Sequence, residues 1–166
     1  MKKLIVFLLS IIIMVTLLAC SAENPLKSPV LFYYPAKTVS YGSSDGVIRP
    51  EKRDSADYKN DPSGLIMLYL QGPKSTELVN PFPEGLTVRS YAVLDTEVIL
   101  ELSPHFSTIT GMELTMASTS LARTIFHLTS TKKLTIITEG VAQTHVINAS
   151  DLLFEDIPQD TTSQKE

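Results

Sequence analysis

The chain has 166 residues, of which 43% are hydrophobic and 19% are charged, and its formal net charge is −4. This composition is that of ordinary globular protein. Nucleic-acid binding depends on Lys and Arg contacts to phosphate, so the acidic balance predicts no nucleic-acid partner.

The N-terminus is predicted to be a lipoprotein signal peptide that spans residues 1–19. Lys2 and Lys3 give it a positive start, and residues 4–18 form a nearly continuous apolar run. This run is shorter than the roughly 20 residues that a membrane-spanning helix needs, which favours cleavage over a retained anchor.

Cys20 is the predicted lipidation site, and cleavage by signal peptidase II is predicted between Ala19 and Cys20. Cys20 is the only cysteine of the chain, so it is free, paired between chains or modified. Its position favours modification, because residues 17–20 (LLAC) resemble the bacterial lipobox, in which the thiol receives a diacylglycerol. Each buried methylene contributes about 0.8 kcal/mol, so two or three acyl chains hold a protein firmly on a bilayer. The membrane, bound through this N-terminal lipid, is therefore a predicted partner, and the predicted location is the extracytoplasmic face of the cell membrane.

Three further segments are predicted after the signal peptide. Residues 20–29 form a short linker, residues 30–154 form one domain, and residues 155–166 form a polar tail that is expected to be disordered. Loss of Lys2 and Lys3 with the signal peptide changes the net charge from −4 to about −6. This charge argues against a second, electrostatic attachment to anionic lipid.

The first elements of the domain are predicted to be two strands and a helix. Residues 30–34 form an apolar strand, and residues 47–53 form an edge strand that is interrupted by Pro50. Asp61 and Pro62 are typical of a helix start, where the aspartate accepts from free amides and the proline needs no hydrogen bond. Gly72 and Pro73 indicate the end of this helix.

Residues 81–106 are predicted to contain a hairpin with its reversal at Asp95 and Thr96. In the second strand, apolar and polar residues alternate from residue 97 to residue 103, which predicts one buried and one solvated face. The first strand, residues 87–94, alternates less cleanly, so we expect it to be covered partly on both faces.

The last third of the chain is predicted to contain a helix and a second pair of strands. The helix runs from about residue 112 to residue 128, is capped by Ser107 or Thr110, and has Ser120 off its apolar stripe. Residues 134–138 and 145–147 predict two strands, and residues 151–154 a last short strand. This order predicts an α+β fold: a single domain with a small mixed sheet of about four or five strands and two helices packed on one face.

Four short motifs, found in this order, resemble the GerMN domain family. They are residues 70–73 (LQGP), 81–85 (PFPEG), 102–106 (LSPHF) and 136–140 (IITEG). The resemblance covers residues 30–154, and it implies a small module similar to the ring-building modules of sporulation channels, with no enzymatic activity. It implies partners among envelope proteins, or self-association, in sporulation, spore germination or envelope assembly.

The motifs that could carry chemistry favour a structural explanation. Residues 42–46 match the G-x-S-x-G nucleophile elbow, but that elbow needs a following helix, and residues 47–50 are not typical of one. His105, His127 and His145 are about twenty residues apart, which is not metal-ligand spacing. We therefore predict no catalytic residue, no metal and no cofactor.

Two groups of residues leave alternatives open. Glu97 and Glu101 share one strand face and suggest paired carboxylates, although their place on an exposed strand face favours solvated side chains. Six tyrosines without a tryptophan could form a surface for glycan or peptide, but half of them are expected in the core.

The predicted function is that of a membrane-anchored, non-catalytic interaction module that binds partners on a sheet face left uncovered by the helices. One alternative is a surface-bound enzyme such as a cell-wall hydrolase, which needs a pocket with convergent titratable groups. The other is a receptor for a small ligand, which needs a sizeable apolar cavity.

Overall fold

The computed structural model describes residues 26–39, 46–142 and 144–152. The predicted signal peptide, Cys20, most of the linker and the polar tail lie outside these residues. The strands are β1 (Pro29–Pro35), β2 (Ile48–Asp54), β3 (Val88–Leu94), β4 (Glu97–Leu102), β5 (Lys133–Thr138) and β6 (Thr144–Asn148), and the helices are α1 (Pro62–Leu70) and α2 (Gly111–Thr129). The described residues also form three 3-10 turns, which span Ala56–Tyr58, Pro104–Thr108 and Ala149–Asp151.

Helix α1 begins and ends where its sequence signals predict. The Asp61 carboxylate accepts a hydrogen bond from the Gly64 amide at 2.8 Å, and Pro62 is the first helical residue. Gly72 has a φ of +97°, and a Cβ added there would lie 2.9 Å from Cγ of Asn80. Only glycine avoids both the backbone strain and this close approach.

Replacing Asp61 by alanine is expected to lower the free energy of unfolding by about 1 kcal/mol, because the Gly64 amide loses its acceptor. Asp61→Asn keeps an acceptor and should cost at most a few tenths of this amount. Urea unfolding of both variants measures the difference. Equal losses in the two variants would contradict the capping role.

The central sheet has the strand order β3-β4-β5-β6 and is mixed, as predicted. Strands β3 and β4 form the predicted antiparallel hairpin, with Asp95 at a φ of +50° in its reversal. Strand β5 pairs parallel to β4, and β6 pairs antiparallel to β5. A parallel neighbour requires a crossover connection, and α2 lies in the connection between β4 and β5.

Strands β1 and β2 form a separate two-stranded antiparallel sheet. Pro50 lies opposite Tyr33 within it. Among the described residues β2 pairs only with β1, so the missing amide hydrogen of Pro50 is tolerated, as expected of an edge strand. The α+β class is confirmed, and the sequence pattern did not show that the strands divide between two sheets.

Helix α2 contacts β1 on the smaller sheet and β5 and β6 on the central sheet. The Tyr33 amide donates to the Thr124 hydroxyl at 2.9 Å, which ties β1 to this helix. The prediction that Ser120 lies off the buried stripe is wrong, because its exposure is 0%. A helix with neighbours on two sides buries a wider arc than a single apolar stripe.

Two further expectations are wrong. Strand β3 is mostly exposed rather than partly covered on both faces, because it is an edge strand of the central sheet. Asp151, predicted to begin a last strand, instead ends the 3-10 turn Ala149–Asp151. Its carboxylate accepts from both the backbone and the side-chain amide of Asn148, which stabilises a turn in place of a strand. Residues 153 and 154 lie outside the described residues.

Candidate interaction surface

One face of the central sheet packs on the helices, and the other face carries no helix in the described part of the chain. The packed face contributes Val98, Leu100, Leu102, Leu134 and Ile136 to the core, each with 0% exposure. The opposite face, which we call the open face, is formed by every second residue of the four strands. It comprises Ser90, Ala92 and Leu94 of β3, Glu97, Ile99 and Glu101 of β4, Lys133, Thr135 and Ile137 of β5, and Thr144, Val146 and Asn148 of β6.

The middle of the open face is a row of three apolar residues and one threonine that crosses all four strands, and we call it the apolar row. The strand register places Ala92, Ile99, Thr135 and Val146 side by side. Val146 is 50% exposed, and Leu94, in the next row, is 55% exposed. Partly exposed β-branched side chains in one row form a surface that a second apolar surface can cover.

Charged residues lie on either side of this apolar row. The Lys133 ammonium lies 3.2 Å from Oε1 of Glu97, and on the other side Ser90 donates to Glu101 at 3.0 Å. A hydrogen bond from the Thr135 hydroxyl, and then one from Lys133, lower the pKa of Glu97. Glu97 therefore stays ionised at neutral pH and fixes the charge pattern of this end of the face.

The two carboxylates Glu97 and Glu101 share the open face, as predicted, but the structure does not pair them. They are four residues apart on a strand, so their Cα atoms are separated by about 13 Å. Glycosidases hold their two carboxyl groups about 5–10 Å apart. Each carboxylate instead accepts a hydrogen bond from a residue of a neighbouring strand. Both therefore link strands of the sheet at its surface.

The three histidines are in different environments. His105 is exposed, and its Nδ1 lies 3.3 Å from the Ser103 hydroxyl. The His127 ring meets Tyr33, and partial burial lowers the pKa of this histidine. The His145 ring packs edge-on against Phe106. Among the described residues no three His, Cys, Asp or Glu side chains cluster as metal ligands would.

The G-x-S-x-G match lies mostly outside the described residues. Its last residue, Gly46, precedes strand β2, whereas a nucleophile elbow leads into a helix. The tyrosines divide much as predicted, since Tyr33, Tyr34 and Tyr69 are buried. Tyr58 and Tyr91 are partly exposed, and Tyr41 lies outside the described residues.

A groove of about 440 Å³ runs along the side of the domain between α2 and the segment before β3. It is open and mainly apolar, and Glu113 is the one ionisable residue among the described residues that line it. Its walls include Pro35, Val79, Phe82, Ile109 and Met112. A single exposed carboxylate does not form the converging set of titratable groups that acid–base catalysis uses.

Sequence reasoning did not identify the apolar residues of the open face. The predicted alternation of β4 gave one buried and one solvated face, but it did not assign Ile99, which lies between the core residues Val98 and Leu100. The same alternation applied to every residue of β4 places Ile99 with Glu97 and Glu101. Ile137 lies beside the core residue Ile136 in the same way, and no face was predicted for it.

The fold is similar to that of GerMN domains. The structure of the tandem GerMN domains of the sporulation protein GerM from Bacillus subtilis matches with a TM-score of 0.55 and 21% identity, covering 74% of this chain. This chain spans 43% of the length of that tandem structure. The first GerMN domain of the same protein matches with a TM-score of 0.54 and 14% identity, covering 68% of this chain and 83% of that domain. The predicted GerMN-like fold is therefore confirmed.

A third solved structure, of a candidate lipoprotein from Clostridium perfringens, has a TM-score of 0.47 and 17% identity over 79% of this chain and 95% of that one. No protein-family model and no curated protein matches this chain. Among the described residues no helix is both long and apolar enough to span a bilayer.

Proposed function

We propose that this chain is a membrane-anchored lipoprotein whose GerMN-like domain binds another protein of the cell envelope without catalysis. The observation that carries the proposal is the open face, where an apolar row crosses four strands between two charged borders. A surface of this kind supplies contact area at its centre and directional polar contacts at its rim, as protein interfaces do.

The two parts of the open face contribute differently to binding. The ion pair between Lys133 and Glu97 is partly exposed, so it adds little affinity and mainly favours partners of complementary charge. In the apolar row, binding removes Ile99 and Val146 from water. The favourable free energy of binding from this burial increases with the apolar area covered. A partner that presents a flat apolar surface with its own charged rim fits this arrangement.

The anchor limits where such a partner is found. The start of β1 at Pro29 lies nine positions after Cys20, a stretch that spans at most about 32 Å when fully extended. A lipid on Cys20 therefore keeps the domain within this distance of the bilayer. The partner is accordingly a protein at or near the outer surface of the same membrane.

We also propose a setting in sporulation, spore germination or envelope assembly. The support is the fold alone, since the similar solved domains are those of a sporulation protein. Deletion of the gene followed by counting of heat-resistant spores tests this narrower proposal. A normal count would exclude sporulation and leave envelope assembly in place.

Cross-linking in intact cells tests the open face as the binding surface. A photo-reactive phenylalanine analogue at Val146 should give an adduct with another envelope protein, because this side chain is half-exposed in the apolar row. The matched control places the same analogue at Met112, which is 75% exposed but lies outside the open face. Adducts from Met112 and none from Val146 would refute the assignment.

A further inference from the structure

Strand β3 is an exposed edge of the central sheet. It has seven residues, against five for β6 at the other edge, and among the described residues it pairs only with β4. Val93 is 49% exposed and Leu94 55% exposed. Native proteins usually shorten or cover edge strands, because free backbone groups and apolar side chains invite another strand.

The hairpin geometry decides which backbone groups of β3 are free. Leu94 and Glu97 flank a two-residue reversal, so they form a pair that exchanges both backbone hydrogen bonds. Such pairs alternate along an antiparallel ladder. The amide and carbonyl groups of Tyr91 and Val93 therefore point away from β4, toward the free edge.

We propose that two copies of this chain pair antiparallel through their β3 edges, with the two-fold axis at Ala92. In this register Tyr91 of each copy lies opposite Val93 of the second copy. The outward backbone groups of both residues then meet their counterparts and form hydrogen-bonded pairs. The two central sheets become one sheet of eight strands.

The regular part of β3 selects this register. Ser90–Leu94 pairs with β4 without interruption, whereas the register shifts before Ser90, where Arg89 forms an ion pair with Glu139 of its own chain. Pairing about Ala92 matches all five residues of this stretch with a counterpart, and registers shifted by two residues match only three of them. The apolar side chains of Tyr91 and Val93 face each other twice in this register, which favours a second copy over an unrelated peptide.

The side chains beside the edge support the same pairing. On the packed side of the sheet, Tyr91 and Val93 line an apolar groove with Val30, Leu65 and Leu128. Pairing brings a second Tyr91 and Val93 to the side of this groove and covers apolar surface that is otherwise in water. On the open face, Leu94 of one copy lies opposite Ser90 of the other, and the two apolar rows become continuous.

Disulfide trapping in membranes of cells that express the full chain tests this register. Ala92 lies on the proposed axis in a non-hydrogen-bonded pair, where the two Cα atoms are about 4.5 Å apart. That distance permits a disulfide, so Ala92→Cys should give a cross-linked dimer under mild oxidation. Two Cys side chains at position 90 lie about 13 Å apart in this register, so Ser90→Cys is the matched control and should give at least ten-fold less dimer.

Two further controls complete this experiment. The unsubstituted chain reports any dimer formed through Cys20, and Val146→Cys reports pairing through the opposite edge at β6. Equal dimer yields from Ala92→Cys and Ser90→Cys, no dimer from Ala92→Cys, or a greater yield from Val146→Cys would each overturn the proposal.

Backbone substitution tests the hydrogen bonds of the edge. Val93→Pro removes an amide hydrogen that faces outward and leaves the ladder with β4 intact, whereas Val93→Ala keeps that hydrogen. In the Ala92→Cys background, the proline variant should lower the dimer yield at least ten-fold and the alanine variant much less. Equal yields in the two variants would contradict the pairing.

Side-chain substitution provides a second test that does not depend on how proline is tolerated. In the Ala92→Cys background, Val93→Asp places a charge opposite the apolar ring of Tyr91 in the second copy and should lower the dimer yield, whereas Val93→Thr keeps the branched shape and should retain most of it. Equal yields in these two variants would refute the chosen register. The photo-adduct at Val146 reports on a different protein, so failure of the dimer leaves the proposed function standing.

Discussion

Replacing Ile136 by alanine is expected to lower the free energy of unfolding by about 2–5 kcal/mol, because the change opens a cavity in the core. Ile136 has 0% exposure and lies on the packed face of β5. Its neighbour Ile137 lies on the open face and is only partly buried, so Ile137→Ala is expected to cost less, about 1–2 kcal/mol. Urea unfolding of the two variants measures this contrast.

The two variants can be compared directly because both remove the same atoms from adjacent positions of one strand. Strand propensity and the change in the unfolded chain are nearly the same in both, so the difference reports which face of the sheet is covered. Similar losses at the two positions would show that the open face is also packed within the folded chain. Ile137→Ala should in addition weaken the photo-adduct at Val146, whereas a purely structural role predicts no such effect.

Replacing Cys20 by serine is expected to abolish the lipid on this protein, because a hydroxyl cannot form the thioether to diacylglycerol. The intact mass of the unsubstituted protein should correspond to a chain that starts at Cys20 and carries acyl groups. We expect the membrane-bound fraction of the serine variant to fall, since the acyl chains supply about 0.8 kcal/mol for each buried methylene.

A second variant separates the lipid from other effects of this region. Ser21→Ala changes the next residue and leaves the thiol in place, so it should keep both the acyl mass and membrane retention. The intact mass also shows whether residues 1–19 remain on the serine variant, in which case an uncleaved leader explains any residual membrane binding. An unmodified thiol on the mature unsubstituted protein would refute the anchor.

Short-range signals in the sequence predict where several elements begin and end. Asp61 and Gly72 bound α1 as predicted, because capping and a left-handed residue act within a few positions of the helix end. Asp95 marks the reversal of the hairpin for a similar reason. The alternation in β4 correctly separates its buried residues from Glu97 and Glu101.

Signals that depend on distant neighbours are not contained in a short window of sequence. Ser120 is buried because β1, from the start of the domain, and the central sheet lie on different sides of α2. Strand β3 has a composition typical of a covered strand, and its exposure follows from its place at the edge of the sheet. Asp151 joins a turn because it bonds Asn148 rather than another strand.

The amino-acid sequence by itself determined the class of the fold, the ends of α1 and the hairpin reversal, since each depends on residues close together in the chain. It is also the sole basis for the predicted anchor at Cys20. Only the tertiary structure decided which face of the sheet stays open and which strand forms its long edge. The physical reason is that burial depends on which segments pack against a residue, and those segments come from distant parts of the chain.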